Sequence, residues 1–250
     1  MNSTIASIAA LTVCASTLAA QDTTVATSVS TPFFSNFTLT EDVGVYTKKN
    51  DASTVTAFNT LIGVDAVGLS WHLSVPGYLS DNDNGYGSIE LGTSWNALKG
   101  VNFLGSVTTV AVEGGLFLPT GSAGYDATDV VPHVGTSATL VWGALSFGQS
   151  IDWQFVTGSM YDPVIDRFSS DLCTLESSLD YKLADSFNIG VDLTQYYLTE
   201  GDSGTIIVTP NVSWDVSSSI ALSAGVGLPV WQNLATENDY IVNAGVSFKF

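Results

Sequence analysis

The sequence predicts an all-β protein whose strands close into one antiparallel transmembrane β-barrel of about twelve strands. Three observations predict it. The last eleven residues, Tyr240 to Phe250, alternate: Tyr240, Val242, Ala244, Val246, Phe248 and Phe250 share one side, and Asn243, Gly245, Ser247 and Lys249 the other. The chain is 45% hydrophobic and only 12% charged, yet no stretch after the N-terminus reaches the roughly 18 apolar residues of a membrane-spanning helix. Charges inside the alternating segments fall almost without exception on the polar side. That pattern suits a wall with lipid on one face and water on the other, because a charge facing mid-bilayer lipid costs about 2–4 kcal/mol for Lys or Arg, and less for Asp or Glu.

Composition excludes several function classes. The 24 acidic and 6 basic residues give a formal charge of -18. Nucleic acid is excluded as a partner, since phosphate binding needs a cationic footprint. The two cysteines are Cys14 and Cys173, too few for a metal or redox pair once Cys14 is removed with a leader. No cofactor motif is present, and no cofactor is expected.

Residues 1–20 read as a secretory signal, apolar and small from Ile5 to Ala20, with Thr17-Leu18-Ala19-Ala20 offering cleavage after Ala19 or Ala20. Its n-region carries no Lys or Arg, and Val13 spoils a lipoprotein box before Cys14. Residues 21–33 are Thr- and Ser-rich and read as a short lead-in. The barrel is expected over 34–250.

Long polar loops are expected at Lys48–Ser53, Tyr78–Tyr86, Pro119–Pro132, Gly158–Ser169, Glu200–Gly204 and Asn233–Asp239, each rich in Asp, Asn, Gly or Ser. Short turns are expected at Gly63–Ala66, Ala97–Val101, Gly143–Ala144, Ala184–Ser186 and Asp215–Ser218. Several intervening segments alternate cleanly. Leu145, Phe147, Ile151, Trp153 and Phe155 oppose Ser146, Gly148, Ser150, Asp152 and Gln154; Ile220 to Leu228 behaves alike. Three places resist. Phe37, Leu39, Val43 and Val45 share a face with Glu41, which calls for a bulge or register shift. Val55–Ile62 shows no clear inward face. Glu113 faces the lumen only if Ser106 and Thr108 face outward.

Aromatics mark the water–lipid boundaries. Trp95, Trp142, Tyr181 and Trp214 precede short turns, Phe103, Phe147 and Phe187 follow them, and Phe250 completes this girdle. Phe117, Phe155, Tyr197 and Trp231 approach the long loops.

The closing strand Tyr240–Phe250 resembles that of bacterial outer-membrane β-barrels, whose terminal Phe and alternating aromatics are read by the barrel-assembly machinery. The resemblance implies a Gram-negative outer membrane, contact with its lipid, and assembly through Tyr240–Phe250. An even strand count places both termini on the periplasmic side. Gly115-Leu-Phe-Leu-Pro-Thr-Gly121 resembles the strand-then-Pro-Thr-Gly element of the outer-membrane family of phenol-degradation (MetA) pathways, which implies transport of small, often aromatic compounds. The twelve-stranded uronate porins fit less well, because their lumen needs Arg and Lys.

The residues expected to line the lumen are Glu90, Glu113, Asp152, Glu176, Asp180 and Asp192, with Lys182 as their basic partner. They admit two readings: a cation-preferring channel, since carboxylate rings favour cations, or a plugged barrel whose acids bond across the interior. A channel for passive uptake of small cationic or neutral solutes, aromatic ones included, is the leading reading. A closed structural or adhesive surface barrel is the alternative. A lipid-active hydrolase built on His72 and Ser74 is third, because the pair lies on the polar face without an orienting partner; the chain is read as no enzyme. His133 reads as a rim residue. The loop acids Asp81, Asp83, Asp126, Asp129, Asp162 and Asp166 suit Ca²⁺ by type, but Asp81-Asn-Asp83-Asn-Gly85 lacks the downstream Glu, so the loops read as solvated and no metal site is assigned.

Overall fold

Period-two segments too apolar for water and too short for helices become strands, and the strands pair in sequence order around a ring. The computed structural model describes residues 34–49, 53–80, 84–122, 124–199 and 203–250. The signal and lead-in expected over 1–33, and with them Cys14, lie outside the described residues, as do Asp81 and Asp83. Among the described residues fifteen strands form: β1 (Phe34–Lys48), β2 (Thr54–Ala66), β3 (Leu69–Ser80), β4 (Asn84–Tyr86), β5 (Ile89–Phe103), β6 (Ser106–Leu118), β7 (Val131–Trp142), β8 (Leu145–Gln154), β9 (Met160–Asp162), β10 (Asp166–Phe168), β11 (Leu172–Ala184), β12 (Phe187–Leu198), β13 (Gly204–Ser217), β14 (Ile220–Asn233) and β15 (Asn238–Lys249).

Twelve long strands close antiparallel on one another. β1 pairs with β15 on one side and β2 on the other, β2 pairs with β3, and β3 with β5. The short β4 extends the sheet beside β3, and β9 with β10 forms a separate hairpin. The seam is well made. Pairing runs from Thr38↔Lys249 to Thr47↔Tyr240, the Phe250 amide donates to the Phe37 carbonyl at 2.9 Å, and their rings meet at 5.7 Å.

Residues opposed across the ladders share a face. Leu39, Val43 and Val45 stand beside Phe248, Ala244 and Val242, while Thr40, Asp42 and Gly44 stand beside Ser247, Gly245 and Asn243. The second set faces inward, because Asp42, Asn59, Ser74, Phe117 and Gln154, from strands spread around the ring, meet in one cavity. Asn59 and Ala57 thus give β2 the inward face its sequence did not reveal. Ser106 and Thr108 lie on the parity opposite to Glu113, both covered and bonded to each other at 2.9 Å.

Two expectations about β1 and the turns are overturned. Glu41 is not rescued by a bulge: β1–β2 pairing is unbroken from Thr38↔Gly63 to Thr47↔Thr54, and the irregularity lies earlier, between Ser35 and Thr38. Glu41 therefore shares the outward face of Leu39 and Val43, where Thr60 Oγ1 donates to its carboxylate at 3.0 Å. The turns expected at Gly63–Ala66 and Ala97–Val101 are strand; the chain reverses at Val67-Gly68 and Leu104-Gly105. Phe103 thus precedes its turn, and Trp95 sits eight residues before Phe103 inside β5.

Both two-residue turns have positive φ at each position, 55° and 77° at Val67-Gly68 and 49° and 77° at Leu104-Gly105. That is the type I′ geometry that matches strand twist and favours Asn-Gly. A β-branched Val at positive φ is strained by about 1–2 kcal/mol, and at 75% exposure it has little packing to lose. Val67→Asn is expected to raise the unfolding free energy by about 1 kcal/mol, read from denaturant unfolding in detergent or lipid vesicles.

Candidate functional site: the inner wall and the hairpin in its mouth

Because the ladder register brings distant strands together, one side of the inner wall gathers both histidines of the chain with four of the predicted acids. His72 of β3 bonds Glu90 Oε1 of β5 through Nε2 at 2.8 Å. His133 of β7 lies 3.3 Å from the same oxygen through Nε2 and 2.9 Å from Asp152 Oδ1 of β8 through Nδ1. Gly92 leaves room for the His72 ring, which a Cβ there would displace. Glu113 lies one strand from Asp152's rung partner, with Gly135 between them. Glu176 stands between Ser150 and Thr194, still on the inward parity.

Further round, Asp192 accepts from Asn211 Nδ2 at 2.7 Å, and Asp180 stands opposite Ser146 and Gly190. On the facing wall the uncharged Thr209, Asn211, Gly225, Asn243 and Ser247 occupy inward positions. Lys182 does not partner the acids. It bridges Asp185 at 3.2 Å beside a short turn. The other lysine ion pair among the described residues joins Lys49 to Glu237. The wall acids are therefore met by imidazoles, amides and hydroxyls rather than by Lys or Arg.

His133 is not a rim residue. Its side chain is 6% exposed, clamped between two carboxylates and packed against Phe117 at 5.2 Å between ring centroids. His72 and Ser74 do share a face, but Ser74 donates to Asn59 Oδ1 at 2.8 Å while His72 engages Glu90. They do not form a nucleophile–base couple.

At the long-loop end, the segment between β8 and β11 turns inward as the β9–β10 hairpin. Val156, Met160, Val164, Ile165 and Phe168 are buried against Val131, Leu172, Ile207 and Ile241 of the wall. Each such side chain contributes about 1.5–3 kcal/mol of burial, against the cost of ordering the loop. Polar ties fix the register: Lys48 Nζ donates to Pro163 O at 2.9 Å, Asn238 Nδ2 to Val164 O at 2.8 Å, and Thr236 Oγ1 to Asp166 Oδ2 at 3.0 Å. Tyr78, Tyr125 and Tyr161 pack mutually at 4.9–5.1 Å, joining wall, preceding loop and hairpin.

Asp162 is not a solvated loop acid. Its Oδ1 accepts the Val164 and Ile165 amides at 2.8 and 3.1 Å, capping the hairpin turn. Burial pushes its carboxyl above the usual range, opposed by those amides and by the Lys48 charge. Burial likewise raises the Tyr161 phenol, aided by Asp166 and Asp162. Asp126 accepts from Ser88 Oγ at 2.7 Å. No group of three metal-ligating side chains occurs among the described residues.

Of the aromatic residues expected in the girdle, Trp95, Trp142, Tyr181, Trp214 and Phe250 are all exposed. Cys173 is a buried free thiol. Sequence reasoning missed the hairpin's apolar residues. The signal that marks them is Met160-Tyr161, Val164-Ile165 and Phe168 inside a loop otherwise rich in Asp and Ser, which is too apolar for a solvated segment.

No protein-family model matches the chain, and no curated protein matches it by sequence. Solved structures match its fold. An outer membrane channel from Pseudomonas putida F1 superposes with a TM-score of 0.65 at 10% identity, covering 88% of this chain and 96% of that one. The NanC porin gives 0.57 at 12% identity over 84% and 100% of the two chains. The KdgM porin, in complex with disordered oligogalacturonate, gives 0.54 at 15% identity over 86% and 99%. The chain therefore has the twelve-stranded architecture found in outer-membrane channels.

Phe168→Ala is expected to weaken hairpin docking by about 3–5 kcal/mol, seen as rapid protease cleavage within 155–171 while the barrel strands stay protected. The raised Asp162 carboxyl has a second consequence. The docked hairpin binds a proton more readily than the released one, so docking is strongest below the ordinary carboxylate range and weakens as pH rises through the raised value. Protection of 155–171 should fall with rising pH across that interval, and Asp162→Asn, which keeps the Oδ1 acceptor, should flatten the profile.

Proposed function

We propose that the chain is a passive outer-membrane channel for small cationic or neutral solutes. The observation that carries this reading is the inner wall: Glu90, Glu113, Asp152, Glu176, Asp180 and Asp192 stand on the inward parity of a closed barrel with no Lys or Arg ion pair to any of them among the described residues. Such a wall raises the local concentration of cations and repels anions. The hairpin at the mouth sets the bore. The fold likeness to the Pseudomonas channel and to the NanC and KdgM porins supports the channel class. KdgM was solved with a polyanionic sugar chain, and the acidic wall here argues for a different solute. The MetA-type element ending at Gly121 keeps small aromatic compounds among the candidates.

In this reading residues 1–20 are a signal peptide, 21–33 a periplasmic lead-in, and 34–250 the barrel, with both termini periplasmic. Trp95, Trp142, Tyr181, Trp214 and Phe250 contact the lipid boundary, and Tyr240–Phe250 engages the assembly machinery of a Gram-negative cell. The chain performs no catalysis.

The second reading, a closed surface barrel, is favoured by one observation: the apolar contacts that seat the hairpin against Val131, Leu172, Ile207 and Ile241. Planar-bilayer recording in a salt gradient separates the two. The channel reading expects ohmic steps with cation preference. It also expects a severalfold fall in that preference for the Glu113→Gln/Asp152→Asn/Asp192→Asn variant, and larger steps on deletion of 159–168. Anion preference, or silence from both the native chain and the deletion, sinks it.

A further inference from the structure

His133 of β7 has a carboxylate oxygen against each of its two ring nitrogens. Asp152 Oδ1 lies 2.9 Å from Nδ1, in hydrogen-bond geometry. Glu90 Oε1 lies 3.3 Å from Nε2, close enough for an ion pair but not aligned for a hydrogen bond. A neutral imidazole carries one N–H and one bare lone pair. Whichever nitrogen kept the lone pair would turn it toward a carboxylate oxygen, so only the doubly protonated ring suits both sides. His72 differs: it meets one carboxylate, Glu90, through Nε2, and a single N–H satisfies that contact. The His133 ring is also held in place. Phe117 packs on it, and Gly115 leaves Nε2 the room that a Cβ there would take. From β6, Glu113 lies over Gly135, two residues along from His133, and adds a third negative charge to the surroundings.

We propose that His133 is a fixed imidazolium built into the inner wall, and that it determines which wall acids select for cations. A cation buried to 6% exposure is tolerable only where carboxylates pair with it, and Asp152 and Glu90 do so from two neighbouring strands. In return His133 cancels one of their two charges. Glu113, Glu176, Asp180 and Asp192 have no ion-pair partner among the described residues. The attraction for a passing cation is therefore strongest at those four, and Glu90 and Asp152 count for less than their position suggests. The role in selection rests on the channel reading; the charge on the ring does not.

Nitrogen NMR of the full-length chain in detergent, labelled at histidine, reads the ring charge directly. The sequence has only two histidines, and His72→Gln assigns the signals. The expected result near neutral pH is a His133 ring with both nitrogens protonated. A neutral tautomer there overturns the proposal without any change at His133 itself. Planar-bilayer recording reads the role in selection. His133→Gln should raise the cation-over-anion permeability ratio about twofold, the opposite of what neutralising a wall acid does. His133→Gln/Glu90→Gln removes one charge of each sign and should return the ratio to near its native value. A histidine that only holds strands together would leave selectivity unchanged, and an unchanged or lowered ratio in a folded His133→Gln variant overturns the proposal. Circular dichroism and heat-modifiable electrophoretic migration report whether each variant is folded; the labelled native chain decides the ring charge in either case. A silent native chain with a doubly protonated His133 would retire the channel reading and leave the fixed charge standing. A cation-selective native chain with an indifferent His133→Gln would do the reverse.

Discussion

The structure depends on closure. Inside a bilayer an unpaired backbone amide or carbonyl costs several kcal/mol, so a sheet survives there only without edges. The β1–β15 seam meets that condition, and it is made by residues far apart in the chain: Thr38 against Lys249, Thr47 against Tyr240. Once the ring is closed, each inward position has an outward neighbour, and the side-chain pattern is committed. A slip of one residue at the seam would turn Val242 and Phe248 inward and Asn243 and Lys249 outward. The contact of Phe37 with Phe250 opposes such a slip at the short-turn end.

Within that frame Glu41 stands on the outward face of β1, against the lipid-water rule. The ladder around it is regular, so backbone irregularity does not account for its position. Thr60 on the adjoining strand supplies a hydroxyl at 3.0 Å, which spares the carboxylate from facing hydrocarbon with no partner at all. The inner wall handles charge differently. His133 is shared between Glu90 and Asp152, so two carboxylates are met by one side chain.

What the sequence revealed follows from range. Strand faces such as Leu145–Phe155 were legible because alternation is local and the contrast between lipid and water is sharp. The strand count and the closure followed from the same signal. Turn positions were less legible. Gly63 reads as a turn residue but is small because the Thr38 side chain lies over it, while the true turn at Val67 uses a residue that type I′ geometry disfavours. The histidine–carboxylate chain was not legible, since residues 72, 90, 133 and 152 become neighbours only through the register. Lys182 is the opposite case: its partner Asp185 is only three residues away at the turn, and a local pair there competes with the acids of the wall.

The hairpin shows how a barrel of this size divides its labour. Twelve strands enclose more space than their own inward side chains fill, in contrast to an eight-stranded barrel. A wall lined by Gly, Ser and carboxylates cannot close that space, because packing needs apolar volume and the wall has little. The chain instead brings apolar volume from outside the wall, in Met160, Val164, Ile165 and Phe168, and seats it where Val131, Ile207 and Ile241 provide an apolar ring. Solvation by the acids and constriction by the hairpin are thus carried by separate residues, so the bore can change without touching the charge, and the charge without touching the bore. The cavity between them borders both, with rings from hairpin and wall on one hand and Asp42 and Gln154 on the other. That lining combines aromatic faces, an amide and carboxylates in one place, which neither the hairpin nor the wall offers alone.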